Sequence, residues 1–183
     1  MHPRLPSFLY HIAFALPLFA LDQITKQWIV NNFPDPTATP YHMQRVIEVI
    51  PGFFNIVRVH NTGMAWGLLN GSPFANVLFI SIAAIAMTFL TVLWLRGAFE
   101  TKWTKLAVTL LVSGIFGNIF DRVTRGYVVD FLDFWFGSYS FPVFNVADSC
   151  ICIAAGLLFL TAIKSGKEEG EAKQESSDET ETA

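Results

Sequence analysis

The stretch Val143–Ile163, "VFNVADSCICIAAGLLFLTAI", is apolar enough to cross a bilayer, yet it carries the carboxylate of Asp148. About 20 mostly apolar residues cross the hydrocarbon core of a bilayer as a helix. A carboxylate inside that core costs about 2.5–3.5 kcal/mol on insertion scales unless it faces a partner or a cavity. The segment therefore reads as a membrane helix, and its acid demands a reason.

Three more windows have this character, at roughly 8–30, 73–95 and 103–120. The chain has 183 residues, 52% of them hydrophobic, with 18 Phe, 5 Trp and a mean hydropathy of +0.44, more apolar surface than a soluble core of this size needs. The predicted fold class is an α-helical membrane protein with four transmembrane helices. The net charge of -3 arises in the last twenty residues, which hold seven of the fifteen acids; the remainder has nine Lys and Arg against eight Asp and Glu. That division sets a membrane domain over 1–165 and an acidic tail over 166–183, expected to be disordered because it lacks apolar periodicity and aromatics.

The first window could be a secretory signal peptide, since Arg4 precedes the apolar run. No A-x-A-like cleavage site follows, and "DQITKQWIV" continues a helical pattern, so it is read as a retained helix. Four crossings put both termini on one side. The segments on that side carry seven Lys and Arg and the opposite loops four, which by the positive-inside rule makes the termini cytoplasmic. The long outer connection between helices 1 and 2 contains "RVIEVIPGFFNIVRVHNTG", rich in Val, Ile and Phe and broken at Pro51-Gly52. It predicts a small extracytoplasmic β element.

Helix direction then brings the polar residues to one depth. Helix 1 runs outward, and Asp22 lies fourteen residues beyond Phe8, about 21 Å up. Helix 3 delivers Asn118, Asp121 and Arg122 at its outer end, and helix 4 begins outside with Asn145 and Asp148. Asn61 precedes helix 2, and Asp130 and Asp133 fall in the outer loop between helices 3 and 4. Asn118 with Asp121, and Asn145 with Asp148, are three apart and share a helix face. Gly114, Gly117 and Asp121 form a stripe along which a neighbouring helix can approach closely.

The chemistry open to this set is narrow. The four histidines form no His-Glu-x-x-His pattern, and Cys150 and Cys152, about 200° apart on a helix, can neither bridge nor share a metal. They are read as small apolar fillers. No metal and no cofactor are expected. Two carboxylates brought within about 3 Å cannot both ionise, so one serves as acid and the other activates water. An ion translocator would instead spread its acids across the bilayer depth. A phospholipid-modifying transferase would use clustered Asp with a divalent metal, and chelator sensitivity distinguishes it.

At these residues the chain resembles the bacterial lipoprotein signal peptidase family, signal peptidase II. The similarity runs through "DQITK" (22–26), "NTGMAWG" (61–67), "SGIFGNIFDR" (113–122), "VVDF" (128–131) and "FNVADS" (144–149), in the family's order. Ser113 stands where the family usually has the first of two glycines, and Trp66 where Phe is commoner. The resemblance implies a multi-pass endopeptidase of the bacterial inner membrane. It would remove signal peptides from diacylglyceryl-modified prolipoproteins, cutting before the lipidated cysteine. It implies Asp130 and Asp148 as the catalytic dyad, with Asp22, Asn61, Asn118, Asp121, Arg122 and Asn145 lining the site. Without it, Asp130 and Asp133 are equal candidates to meet Asp148. The expected partners are lipid-modified prolipoproteins and membrane lipid, with no nucleic acid, and the chain is expected to act as a monomer.

Overall fold

The computed structural model describes residues 5–63, 69, 71–72 and 74–181. Trp66 and Arg4 lie outside them. Four helices and four strands follow in the order α1 (Leu5–Asn32), β1 (Ile47–Ile50), β2 (Phe54–Asn61), α2 (Ala75–Leu95), α3 (Lys102–Arg125), β3 (Val128–Phe136), β4 (Tyr139–Ser140) and α4 (Val146–Glu181). Among the described residues, three helical segments are long and apolar enough to cross a membrane: Ala75–Leu95, Lys102–Arg125 and Val146–Lys164.

The central helix is α3, packed against α1, α2 and α4. Its stripe of small residues explains why. A Cβ on Gly114 would lie 2.7 Å from Ile151 Cγ1, and one on Gly117 would lie 2.5 Å from Asp22 Oδ2 and 3.0 Å from Ala147 Cβ. Only glycine lets α1 and α4 come this close on that face. Ser113, in place of the glycine that the family usually has, is also buried and donates from Oγ to Ala15 O at 3.2 Å. Helix α3 starts at Thr101, whose Oγ1 accepts from Thr104 N at 3.1 Å, and ends at Gly126 in the left-handed conformation (φ +81°). Helix α2 fully buries only Ala75 and Leu90, and Val77, Ile82, Ile85 and Phe89 are exposed, as suits a lipid-facing helix.

The strands form one antiparallel sheet in the order β1-β2-β3-β4. The break expected at Pro51-Gly52 is the turn between β1 and β2, with Gly52 at φ +69°. Two expectations are corrected. The sheet is not confined to the connection between α1 and α2, because β3 and β4 come from the α3–α4 connection. Asp130 and Asp133 accordingly lie on a strand rather than in a loop. "VVDFLDFWF" escapes an alternation test because Val128 to Phe131 are all buried, both faces of the strand being covered. Ile29 and Phe33 from the end of α1 pack with Val129 and Phe131 to form the core beneath the sheet.

Helix α4 continues to Glu181, through the acidic segment whose composition reads as disordered. "KEEGEAKQE" is rich in good helix formers, and extending a formed helix avoids the cost of nucleating one.

Candidate active site

The junction of β3 and α4 brings two distant carboxylates together. Phe131 N and Leu132 N both donate to Phe144 O, at 3.0 and 2.9 Å, and Phe144 N donates back to Leu132 O at 3.2 Å. This bridge lays the residue before Asn145 alongside β3, one turn ahead of Asp148. The Phe54, Phe134 and Phe144 rings stack over it, with centroids 4.5 and 5.7 Å apart. Asn145 then links both acids: its Nδ2 donates to Asp130 Oδ1 at 2.7 Å and its backbone N to Asp148 Oδ2 at 3.2 Å. Asn61 Nδ2 donates to Asp130 Oδ2 at 2.9 Å, and Asn118 Nδ2 to Asp148 Oδ1 at 2.7 Å. Four donors thus surround the pair.

Among the described residues neither Asp130 nor Asp148 makes an ion pair. Burial, and next the negative charge of Asp148, raise the Asp130 carboxyl to about 7 against the bonds from Asn61 and Asn145. Asp130 therefore holds a proton more readily than a free carboxylate does.

Asp133, three residues along, takes a different place. Its Oδ2 accepts from Asn55 Nδ2 at 3.0 Å and from Trp135 Nε1 at 2.8 Å. An odd spacing on a strand turns its side chain to the other face, so only Asp130 joins Asp148.

A second pair of buried acids lies beside the first. Asp22 Oδ1 accepts from Ala147 N at 2.9 Å, and Asp121 Oδ2 from Val129 N at 3.1 Å. The two carboxylates thus tie α1 to the start of α4, and α3 to the start of β3. Lys26 Nζ lies between them, 2.9 Å from Asp22 Oδ2 and 3.1 Å from Asp121 Oδ2, and Arg125 pairs with Asp121 from the outer side. Arg122 donates from Nη2 to Gly63 O at 3.2 Å and lies over the Phe79 ring at 4.8 Å. All eight residues expected at the site converge here.

The family model described as signal peptidase (SPase) II matches residues 14–164. The chain belongs to the signal peptidase II family. It is 37% identical over 153 residues to the lipoprotein signal peptidase of Shewanella pealeana, covering 83% of this chain and 85% of that one. It is 38% identical to that of Shewanella loihica, covering 84% and 86%, and 37% identical to that of Vibrio cholerae, covering 84% and 86%. Two solved structures described as bacterial membrane enzymes superpose with TM-scores of 0.73 and 0.71 at 33% and 34% identity. They cover 87% and 85% of this chain, and 90% and 93% of theirs. Signal peptidase II enzymes remove signal peptides from prolipoproteins, and the chain shares their membrane-enzyme fold.

Sequence reasoning on this signal peptidase II missed three groups. Lys26 was visible only as half of an i, i+4 pair with Asp22, yet it is completely buried and contacts α3 as well. Arg125 donates to Gln27 Oε1 at 3.0 Å besides Asp121. Arg58 sits at an irregularity in the β2–β3 register and donates from Nη1 to Phe33 O at 2.8 Å and Val30 O at 3.2 Å, capping α1. Its Nε donates to Nε2 of His60, whose imidazole burial holds down at about 4 and hence neutral. The buried position of Arg58 follows from tertiary pairing, and no local pattern announces it.

Proposed function

We propose that the chain is an intramembrane aspartic endopeptidase that removes the signal peptide of a diacylglyceryl-modified prolipoprotein, cutting before the lipidated cysteine. The observation that carries this reading is Asn145 bonded to both Asp130 and Asp148, neither of which makes an ion pair among the described residues. One carboxylate, ionised, takes a proton from water as the water attacks the scissile carbonyl. The other, protonated, hydrogen-bonds the developing oxyanion and then protonates the leaving amine. The chemistry draws on no cofactor or metal. Asp22 and Asp121 hold the helices, Asn61, Asn118 and Asn145 orient the dyad, and Arg122 lies where a polar group of the substrate could meet it.

In this reading α1 is a fourth crossing, both termini are cytoplasmic, and the site lies near the extracytoplasmic face of the inner membrane. The Lys and Arg bias of seven against four supports that orientation. Residues 1–165 form the peptidase domain, 166–183 lie on the cytoplasmic side, and the enzyme acts as a monomer in contact with lipid. The substrate's signal helix lies in the bilayer beside α3 and α4.

The test is in vitro cleavage of lipidated and unlipidated prolipoprotein by the wild type, Asp130→Asn, Asp148→Asn and Asp133→Asn, with and without EDTA. Loss in the first two variants, retention in the third, preference for the lipidated substrate and indifference to EDTA are expected. Loss of wild-type activity in EDTA, or full activity in either dyad variant, rejects the reading.

A further inference from the structure

Lys26 makes three contacts, and its ammonium has three protons to donate and nothing to accept with. Asp22 Oδ2 and Asp121 Oδ2 take two of them, and Asn118 Oδ1, at 3.0 Å, takes the third. The last contact has a consequence for the dyad. The oxygen and nitrogen of an Asn amide are nearly isosteric, so the partners decide which end points where. Lysine can face only the oxygen. The Asn118 amide nitrogen is thereby turned onto Asp148 Oδ1.

The same polarity passes to Asn145. Its Nδ2 donates to Asn118 Oδ1 at 3.2 Å as well as to Asp130 Oδ1, and its Oδ1 accepts from Asp148 N at 2.9 Å. Both dyad carboxylates are met by donors, and donors favour the ionised form. Charge adds to orientation. The cluster holds Asp22, Asp121, Asp130 and Asp148 against Lys26, Arg122 and Arg125, so one proton on the dyad brings it to neutrality. The other groups nearby are known: Cys150 of α4 lies within electrostatic reach of Asp22, and from β2 the neighbour is the neutral amide of Asn61, while Arg58 and His60 are engaged with the end of α1 and Asp35.

We propose that Lys26 is a positioning residue for the dyad: by locking the Asn118 amide and supplying one buried positive charge, it keeps one of Asp130 and Asp148 ionised as the base. This rests on the dyad reading above. Losing a cation makes ionisation harder, so the acidic limb of the rate profile moves to higher pH when Lys26 is removed.

The test measures kcat and KM against pH for the full chain in detergent, with a diacylglyceryl-modified prolipoprotein peptide as substrate. Lys26→Met is expected to shift the acidic limb up by about one unit, a loss of about tenfold at acid pH and much less near neutrality, with KM changed less than about threefold. The double variant Lys26→Met/Asp22→Asn, which restores the charge balance, is expected to move the limb back. Asn118→Leu, which severs the link but keeps the lysine, is expected to shift it in the same direction as Lys26→Met, and it serves where Lys26→Met fails to accumulate. A limb unmoved in Lys26→Met or Asn118→Leu, with any loss uniform across pH, overturns the inference. If Asp130→Asn and Asp148→Asn are inactive in that same assay, the dyad reading survives and only the role of Lys26 falls.

Discussion

Two pairs of acids lie side by side in this protein, Asp22, Asp121 and Asp130 buried and Asp148 half-buried, and their surroundings differ. Asp22 and Asp121, at the α1–α3 interface, share Lys26, and Asp121 also holds Arg125. Asp130 and Asp148, at the β3–α4 junction, are held by the amides of Asn61, Asn118 and Asn145 and have no salt bridge among the described residues. A buried carboxylate beside a cation and a backbone amide ties elements of the fold together. One held only by neutral donors, next to another acid, can keep or release a proton. Under the proposed function the difference between fastening and chemistry lies in the partners, since all four residues are aspartates of one cluster.

The contrast can be broken most sharply at the amide-held pair. Asp130→Asn or Asp148→Asn is expected to lower the cleavage rate by about 10³-fold or more while the protein still folds, whereas Asp133→Asn stays near wild type. A single-turnover assay in detergent reads all three. The cation-held pair should respond in the opposite manner. Asp121→Asn leaves Lys26 and Arg125 undercompensated and is expected to cost about 3–5 kcal/mol of stability, visible as a lowered thermal midpoint before any specific loss of rate.

A smaller effect comes from the packing that lets the two pairs touch. Gly117→Ala puts a methyl group against the Asp22 carboxylate, which Lys26 holds in place, and is expected to cost about 1–3 kcal/mol. Gly156→Ala meets nothing within 4 Å and should stabilise slightly, so thermal melts of the two variants should move in opposite directions. The smallest effect is on pH dependence. The Asp130 carboxyl lies at about 7 in the fold against an ordinary value of 3.8, so its contribution to stability is present below 3.8 and is lost as pH rises through about 7. Asp130→Asn removes that loss. Its thermal midpoint relative to wild type should rise by a few degrees from about pH 5 to about pH 8, and a flat difference would contradict the raised value.

Much of this arrangement is legible along the chain. An acid near the start of an apolar segment, "FNVADS", and a second one at the end of another, "NIFDR", are costly in lipid and therefore conspicuous. The hairpin at Pro51-Gly52 is announced by its turn residues. What escaped was anything whose meaning depends on a partner far away in sequence. Strand β3 showed no alternation because helices and strands cover both its faces, and the buried role of Lys26 depends on Asn118 and Asp121, about 90 residues away on α3. The helical continuation of the acidic tail was obscured by a composition that also fits disorder.

The sequence by itself determined three of the helices long and apolar enough to cross a membrane, and the family, because apolar length and short motifs are local properties. The choice between Asp130 and Asp133 on physical grounds belongs to the tertiary structure. The Leu132–Phe144 bridge aligns β3 with the start of α4 and turns one acid toward Asn145 and the other toward Asn55. Strand register and helix packing assign the partners, and the partners determine what each carboxylate can do.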